Sequence, residues 1–265
     1  MSIGVDEERL LAVALEAARV GAAELLPRFG AGDLRVQSKS TPTDPVSEAD
    51  LASEAAIRAV LGRQRPGDAI LGEEGGATGP LGLAGGGVRW VVDPLDGTVN
   101  FLYGIPTFAV SVACEDASGA IAGVVLDPVR GECFTATRSG LPLRNGAAIR
   151  GSSLAELSHA LIATGFAYEP HVRAAQARVA ALVLPRARDL RRAGSAALDL
   201  CACACGRVDA YYERGVRPWD TAAGALICAR AGLSVRTLPA VDALPDGIVV
   251  APAGLIDQLY ALASG

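Results

Sequence analysis

The stretch Trp90-Val-Val-Asp93-Pro-Leu-Asp96-Gly-Thr98-Val-Asn-Phe101 leaves an apolar segment and passes directly into two aspartates three residues apart. Pro94 cannot donate to a sheet ladder and Gly97 permits a tight turn. The sequence therefore ends a strand at Pro94 and lets both carboxylates converge just beyond the sheet. Asp, Pro and Gly are also ordinary turn residues, and a plainer reading has Asp96 capping a short helix that begins near Thr98.

Two further segments favour the first reading. Ala69-Ile-Leu71 reads as a short strand ending in Gly72-Glu73-Glu74, and Asp220 follows Trp219 at the head of an apolar helix expected over residues 221 to 231. Taken singly, Asp220 reads more readily as a helix N-cap than as a ligand. Acids at three element ends together suggest one shared site. Two unit charges ~4 Å apart repel by about 4 kcal/mol at an effective dielectric of 20, so clustered carboxylates call for a cation. Oxygen donors without His or Cys select hard ions, and magnesium in particular, whose shell is commonly completed by a substrate phosphate. The backbone N–H groups of Gly97 and Thr98, at the expected helix start, would then meet the remaining phosphate oxygens.

The rest of the 265 residues bounds this reading. With 51% hydrophobic and 20% charged residues, the chain can bury a sizeable core, as one large domain or two intimately packed halves. A net charge of -5 without any Lys/Arg-rich run argues against nucleic-acid binding. The N-terminus has no basic segment ahead of an apolar core, and no uncharged apolar run reaches the roughly 18 residues of a membrane span. Six cysteines include Cys201-Ala-Cys203-Ala-Cys205, but there are only two histidines and no CxxC spacing. These cysteines read as small buried hydrophobes on a helix, and with no secretion signal they point to a cytoplasmic protein.

Helices are expected over residues 6 to 29, from the Ser47-Glu-Ala-Asp50 capping box to about Gly62, and over 174 to 184, 195 to 205 and 221 to 231, with another at the C-terminus. Strands are expected at 69–71, 88–92, 107–114 (alternating and half-buried), 121–126, 133–137, 160–164, 207–212 and 247–251, with Asn145-Gly146 as a hairpin turn. The uncharged, Gly-rich residues 75–87 read as a mobile loop and lack the signature of a phosphate-cradling P-loop. Interleaved helices and strands without internal repeats favour a layered α/β or α+β sandwich.

In order and approximate spacing, Gly72-Glu73-Glu74, Asp93-Pro-Leu-Asp96-Gly97-Thr98 and Trp219-Asp220-Thr-Ala-Ala-Gly224 resemble the inositol monophosphatase family. The likeness extends to Lys39-Ser-Thr-Pro-Thr-Asp44-Pro-Val-Ser-Glu-Ala-Asp50, Thr164-Gly-Phe166, Gly194-Ser-Ala-Ala197 and Asp209-Ala-Tyr-Tyr-Glu213. It implies one domain over 1–265 with an αβαβα sandwich, its N-terminal half (about 1–150) carrying most metal ligands and its C-terminal half (about 151–265) carrying Asp220 and substrate contacts. It also implies a homodimer, lithium sensitivity, and two or three Mg2+ ions held by Glu73, Asp93, the Leu95 carbonyl, Asp96 and Asp220. Thr98, backed by Asp50 and near Glu73, matches the residue that positions an attacking water. Asp96, Gly97 and Thr98 match contacts to the substrate and its phosphate, while Gly194, Ser195, Ala196 and Glu213 match the part that meets the alcohol. Lys39, Asp44 and Glu74 match supporting positions around them.

The implied reaction is hydrolysis of a small phosphate monoester, with myo-inositol 1-phosphate favoured. Histidinol phosphate is the nearest alternative, with fructose bisphosphate or 3′-phosphoadenosine 5′-phosphate behind it. A binding protein on the same fold is the rival of a different class. The chain departs from the family where Ala229-Arg230-Ala231-Gly232-Leu233 replaces Glu-Ala-Gly-Gly, a change expected to affect local packing.

Overall fold

The computed structural model describes residues 6–31, 36–38, 45–79 and 87–265. Lys39 and Asp44 lie outside them. In chain order the N-terminal elements are α1 (Glu7–Leu25), β1 (Val36–Ser38), β2 (Pro45–Ser47), α2 (Glu48–Gln64), β3 (Ala69–Gly72), β4 (Gly76–Thr78), β5 (Arg89–Asp96), α3 (Thr98–Leu102), β6 (Ala109–Asp116), β7 (Gly119–Asp127), β8 (Glu132–Thr137), β9 (Leu143–Arg144) and β10 (Ala147–Ala148). There follow β11 (Leu161–Thr164), α4 (Pro170–Val183), β12 (Asp189–Arg191), α5 (Ala196–Ala204), β13 (Ala210–Arg214), α6 (Pro218–Arg230), β14 (Ser234–Leu238), β15 (Gly247–Ala251) and α7 (Ile256–Ala263).

Two sheets dominate. The larger has eight strands in the order β10-β9-β8-β7-β6-β5-β3-β4, and the smaller has five in the order β12-β11-β13-β15-β14. Helices α1 and α2 bury Leu10, Val13, Ala17, Ile57 and Leu61 against Trp90, Val92, Val110 and Val124 on one face of the large sheet. Helices α5 and α6 fill the space between the sheets, where Leu200, Ala223 and Ile227 meet Val91, Ala113 and Val125 on one side and Tyr211 and Val250 on the other. Helices α4 and α7 cover the outer face of the small sheet through Val179, Val183 and Leu259. The result is the αβαβα layering that the family resemblance implies.

Several boundaries differ from the sequence reading, each for a tertiary reason. Strand β5 does not stop at Pro94. It runs to Asp96 across a register shift between Asp93 and Asp96, because Pro94 sits where no ladder donor is required. Strand β6 is not half-buried. Val110, Val112 and Cys114 face the α1 layer while Ala109 and Ala113 face α6, so both faces are covered. Residues 76–78 of the expected loop form β4 by pairing with β3. Helix α6 begins at Pro218, which suits a first-turn position, so Asp220 is the third helical residue rather than the cap. Strand β13 is displaced toward the C-terminus, so Glu213 lies within it, opposite Ile248, rather than after it.

Other expectations hold. Ser47 and Asp50 form a reciprocal capping box at α2, and Asn145 and Gly146 both adopt positive φ in the hairpin turn. Cys201 and Cys203 are buried and Cys205 partly so, all as free thiols. Arg230 donates to the carbonyls of Ser139 and Gly140, and Leu233 is buried, so both departures from the family pattern find packing partners.

Candidate active site

The expected acids converge because neighbouring strand ends carry them. Strand β3 runs parallel to β5 with Gly72 opposite Val92, and Glu73 N–H donates to the Val92 carbonyl at 3.1 Å. Glu73 therefore sits beside Asp93 where β3 ends. Asp93 folds back to accept from Leu95 N–H at 3.0 Å, and Ser53 of α2 donates to the Pro94 carbonyl at 2.9 Å. From the next strand, Ser111 donates to the Trp219 carbonyl at 3.2 Å, which brings the first turn of α6 and Asp220 over the same point. Asp93, Asp96 and Asp220 each present a carboxylate oxygen within 4.8 Å of the others.

Asp96 does not cap the short helix α3, whose cap position is Gly97, without any side-chain cap. Instead it sits at the head of α5, accepting from Ser195 Oγ at 2.5 Å, Ala197 N–H at 2.7 Å and Ala196 N–H at 3.3 Å. Those bonds hold Ser195 and Ala196 against the acid cluster. Asp220 combines two roles that were alternatives in the sequence: it accepts from Arg217 N–H at 2.6 Å and also belongs to the cluster.

The electrostatics of these groups follow from burial and mutual repulsion. Asp93 and Asp220 titrate well above the usual carboxylate range. Burial is the leading cause for both, followed for Asp93 by Glu73, Asp96 and Asp220, and for Asp220 by Asp96. Asp96 is pushed up to about 6 by burial, against the opposing hydrogen bonds from Ser195, Ala197 and Ala196. Carboxylates at such spacing repel by about 3 kcal/mol per pair at an effective dielectric of 20, so the cluster suits a hard cation. Three close carboxylates, with the Leu95 carbonyl alongside and no nitrogen or sulfur donor in the group, form an all-oxygen donor set of that kind.

Thr98 is 7% exposed, and its hydroxyl lies 2.9 Å from Asp50 Oδ1 and 3.1 Å from the Leu95 carbonyl. Asp50, fully buried, also accepts from Ser47 N–H at 2.8 Å and Ser47 Oγ at 2.6 Å. The capping box and the Thr98 contact thus share one carboxylate. Gly97, at φ 100°, is held to glycine by space as well as conformation: a Cβ would stand 3.0 Å from the Thr107 carbonyl and 3.2 Å from that of Gly194.

Glu73, Asp93, Asp96, Gly97, Thr98 and Asp220 line a cavity of about 560 Å³ together with Gly165, Phe166, Tyr168, His171, Arg192 and Arg217. Glu213 faces Gly165 so closely that a Cβ there would lie 2.1 Å from its carboxylate. Tyr211 donates to Glu213 at 2.8 Å, yet burial still pushes Glu213 up to about 7.

Sequence reasoning missed three charged groups. Glu54 accepts from Glu74 N–H and Gly75 N–H, each at 2.8 Å, and from Arg58 Nε at 2.7 Å, fixing the turn that presents Glu73. The i, i+4 spacing of Glu54 and Arg58 was the available signal. Asp199, on α5, is buried and pushed up to about 8 by burial and by Glu213. Arg192 lines the cavity, and no local pattern marks it.

An all-oxygen acid cluster, a buried threonine hydroxyl and a small-molecule cavity meet at the strand ends of this five-layer sandwich, an arrangement that suits a phosphoric monoester hydrolase. The sequence profile of the inositol monophosphatase family matches residues 6–263. The chain belongs to that family. The inositol-1-monophosphatase of Mycobacterium leprae is 47% identical over 274 aligned residues, covering 97% of this chain and 94% of the relative. The Nus factor SuhB of Haemophilus influenzae is 37% identical, covering 94% of each. Among solved structures, Mycobacterium tuberculosis SuhB superposes with a TM-score of 0.81 at 39% identity, covering 97% of this chain and 96% of that one.

Proposed function

We propose that this enzyme hydrolyses myo-inositol 1-phosphate to inositol and phosphate with Mg2+. The carrying observation is the meeting of the Asp93, Asp96 and Asp220 carboxylates within 4.8 Å beside the Thr98–Asp50 hydrogen bond. Glu73, Asp93, the Leu95 carbonyl, Asp96 and Asp220 would hold two or three magnesium ions. Bound there, magnesium supplies charge neutralisation toward phosphate and acidifies water, the general service of such ions in phosphate ester hydrolysis.

The protein's own part is positional. Thr98 gives its hydrogen to Asp50, so its oxygen accepts from the attacking water and aims it in line with the ester bond. Asp50 is held in place by three donors, Ser47 N–H, Ser47 Oγ and Thr98 Oγ1. Glu73 takes up the proton that the water loses. The Gly97 and Thr98 N–H groups hold the phosphate, and the leaving alcohol faces Gly194, Ser195, Ala196 and Glu213, with Asp96 between the two. Glu74 and, on the likeness to the family, Lys39 and Asp44 support this arrangement. Because the ligands come from both halves of the chain, residues 1–265 act as one unit, and we propose a cytoplasmic homodimer inhibited by lithium.

A substrate panel tests the choice. The expected result is a higher kcat/KM for myo-inositol 1-phosphate than for histidinol phosphate, fructose bisphosphate or 3′-phosphoadenosine 5′-phosphate. A site built to bond hydroxyls leaves polar groups unpaired with the wrong alcohol. A preference for histidinol phosphate of roughly tenfold or more would replace this substrate with that one. The Nus factor name of the Haemophilus relative supports a second reading, action through a partner. Absence of turnover on every ester with Mg2+ would favour it.

A further inference from the structure

Arg214, the last residue of β13, is only 3% exposed, and its guanidinium is satisfied by backbone carbonyls. Nε donates to the Ala263 carbonyl at 3.0 Å, Nη2 to that of Ser264 at 3.1 Å, and Nη1 to those of Pro239 and Pro245 at 2.9 and 2.8 Å. Two of these acceptors end α7, whose last turn holds no basic residue of its own, so Arg214 meets the negative end of that helix. Successive strand residues face opposite sides: Glu213 turns to the cavity and Arg214 to the outer face of the small sheet. The main chain of Arg214 is tied as well. Gln176 of α4, itself buried, donates to the Arg214 carbonyl at 2.9 Å and accepts from Ala167 N–H at 2.8 Å. Ala167 and its neighbour Phe166 line the cavity.

Resting on the phosphatase reading, we infer that Arg214 is a positioning residue for the alcohol half of the reaction, holding the end of β13 where Glu213 meets the hydroxyls of the leaving group. The sheet alone does not fix that end. Strand β11 pairs with β13 only as far as Tyr212, so Glu213 and Arg214 have a ladder on one side, with Ile248 and Gly247 of β15. Tyr211 donates to the Glu213 carboxylate, but it belongs to the same strand and moves with it. The missing reference comes through Arg214. Its side chain fastens the strand end to α7 and the segments around Pro239 and Pro245, and its carbonyl reaches the Phe166–Ala167 wall through Gln176. An acceptor that selects hydroxyls by hydrogen bonding tolerates little displacement.

The test measures kcat and KM in saturating Mg2+ for myo-inositol 1-phosphate and for 4-nitrophenyl phosphate, whose leaving group offers Glu213 no further hydroxyl. A thermal melt of each variant checks folding. Arg214→Met keeps the reach of the side chain and removes its donors. It should lower the ratio of kcat/KM, inositol ester over aryl ester, roughly tenfold, the worth of one hydrogen bond to a carboxylate, with most of the change in KM. Arg214→Lys, which still reaches part of the carbonyl cluster, and Gln176→Met, which cuts the second tie, should each lower it about four- to fivefold. In a Glu213→Gln background, Arg214→Met should move the ratio by less than about twofold, because the carboxylate that it positions is gone. A buried arginine that only ends α7 would depress both esters alike. A ratio within about twofold of wild type in folded Arg214→Met, or an equal fall with and without the Glu213 carboxylate, overturns the inference while the phosphatase reading stands. Should Arg214→Met fail to fold, Arg214→Lys and Gln176→Met decide, and a ratio within about twofold of wild type in both overturns it. Failure of the wild type to hydrolyse either ester overturns the reading and the inference together.

Discussion

Replacing Asp50 with Asn separates a helix cap from a catalytic support, because this one carboxylate serves both. Its Oδ2 accepts from Ser47 N–H at 2.8 Å and Ser47 Oγ at 2.6 Å, while Oδ1 accepts from Thr98 at 2.9 Å. An asparagine of the same shape has a single acceptor oxygen. Turned toward the two Ser47 donors, it presents its NH2 to Thr98 and reverses that bond. The Thr98 hydrogen then points to the Leu95 carbonyl, 3.1 Å away, and the lone pair needed by the attacking water is occupied. Exchanging charge-assisted for neutral hydrogen bonds should lower stability by about 1–2 kcal/mol. Loss of the hydrogen-bond acceptor that aims the attacking water should lower kcat by roughly 10²–10³. Urea unfolding gives the first quantity and phosphate release from myo-inositol 1-phosphate the second. Ser47→Ala is the control: it damages the cap by about 1 kcal/mol yet leaves Thr98 bonded to Asp50, so kcat should stay within about twofold of wild type. If Asp50→Asn kept kcat within about threefold while losing the same stability as Ser47→Ala, Asp50 would be a cap and nothing more.

Asp220→Asn should leave the melting temperature in EDTA no lower than that of wild type, since it relieves crowding among Asp93, Asp96 and Asp220, and should abolish the stabilisation by Mg2+. A drop of about 1 kcal/mol with the Mg2+ response intact would reduce Asp220 to a helix-terminus residue. In metal-free protein, Asp199 is pushed up to about 8, above its unfolded value, so its contribution is present in acid and is lost as pH rises toward 8. Asp199→Asn should accordingly flatten the melting temperature between pH 4 and 8 and raise it most at pH 8; a parallel pair of curves would contradict this. Gly165→Ala places a Cβ 2.1 Å from the Glu213 carboxylate and must displace it, so KM for myo-inositol 1-phosphate should rise roughly tenfold with a smaller change in kcat. An unchanged KM would remove Glu213 from the alcohol site.

Much of the acid cluster was legible because its signals are local: a proline, a permissive glycine and acids immediately after apolar runs. The capping box at Ser47 and Asp50 was equally local, although its link to Thr98 spans 48 residues and came only from family resemblance. What the sequence hid was set by packing. The alternation in residues 107–114 suggested one exposed face, which α6 in fact covers. Strand β4 consists of Gly-Ala-Thr and forms because β3 offers it an edge, and β14 is a short strand at the edge of the small sheet. Asp199 gains its meaning from Glu213, which lies on a different element and is brought near only by folding.

The most direct measurement is a Mg2+ titration of chelated protein with myo-inositol 1-phosphate, following phosphate and inositol together. No turnover is expected in excess EDTA, with equimolar release of both products as Mg2+ or Mn2+ is added and no recovery with Ca2+, whose larger and looser coordination does not suit this chemistry. Full turnover in EDTA, or none at any Mg2+ concentration, would contradict the claim that these carboxylates form a metal-dependent phosphatase site.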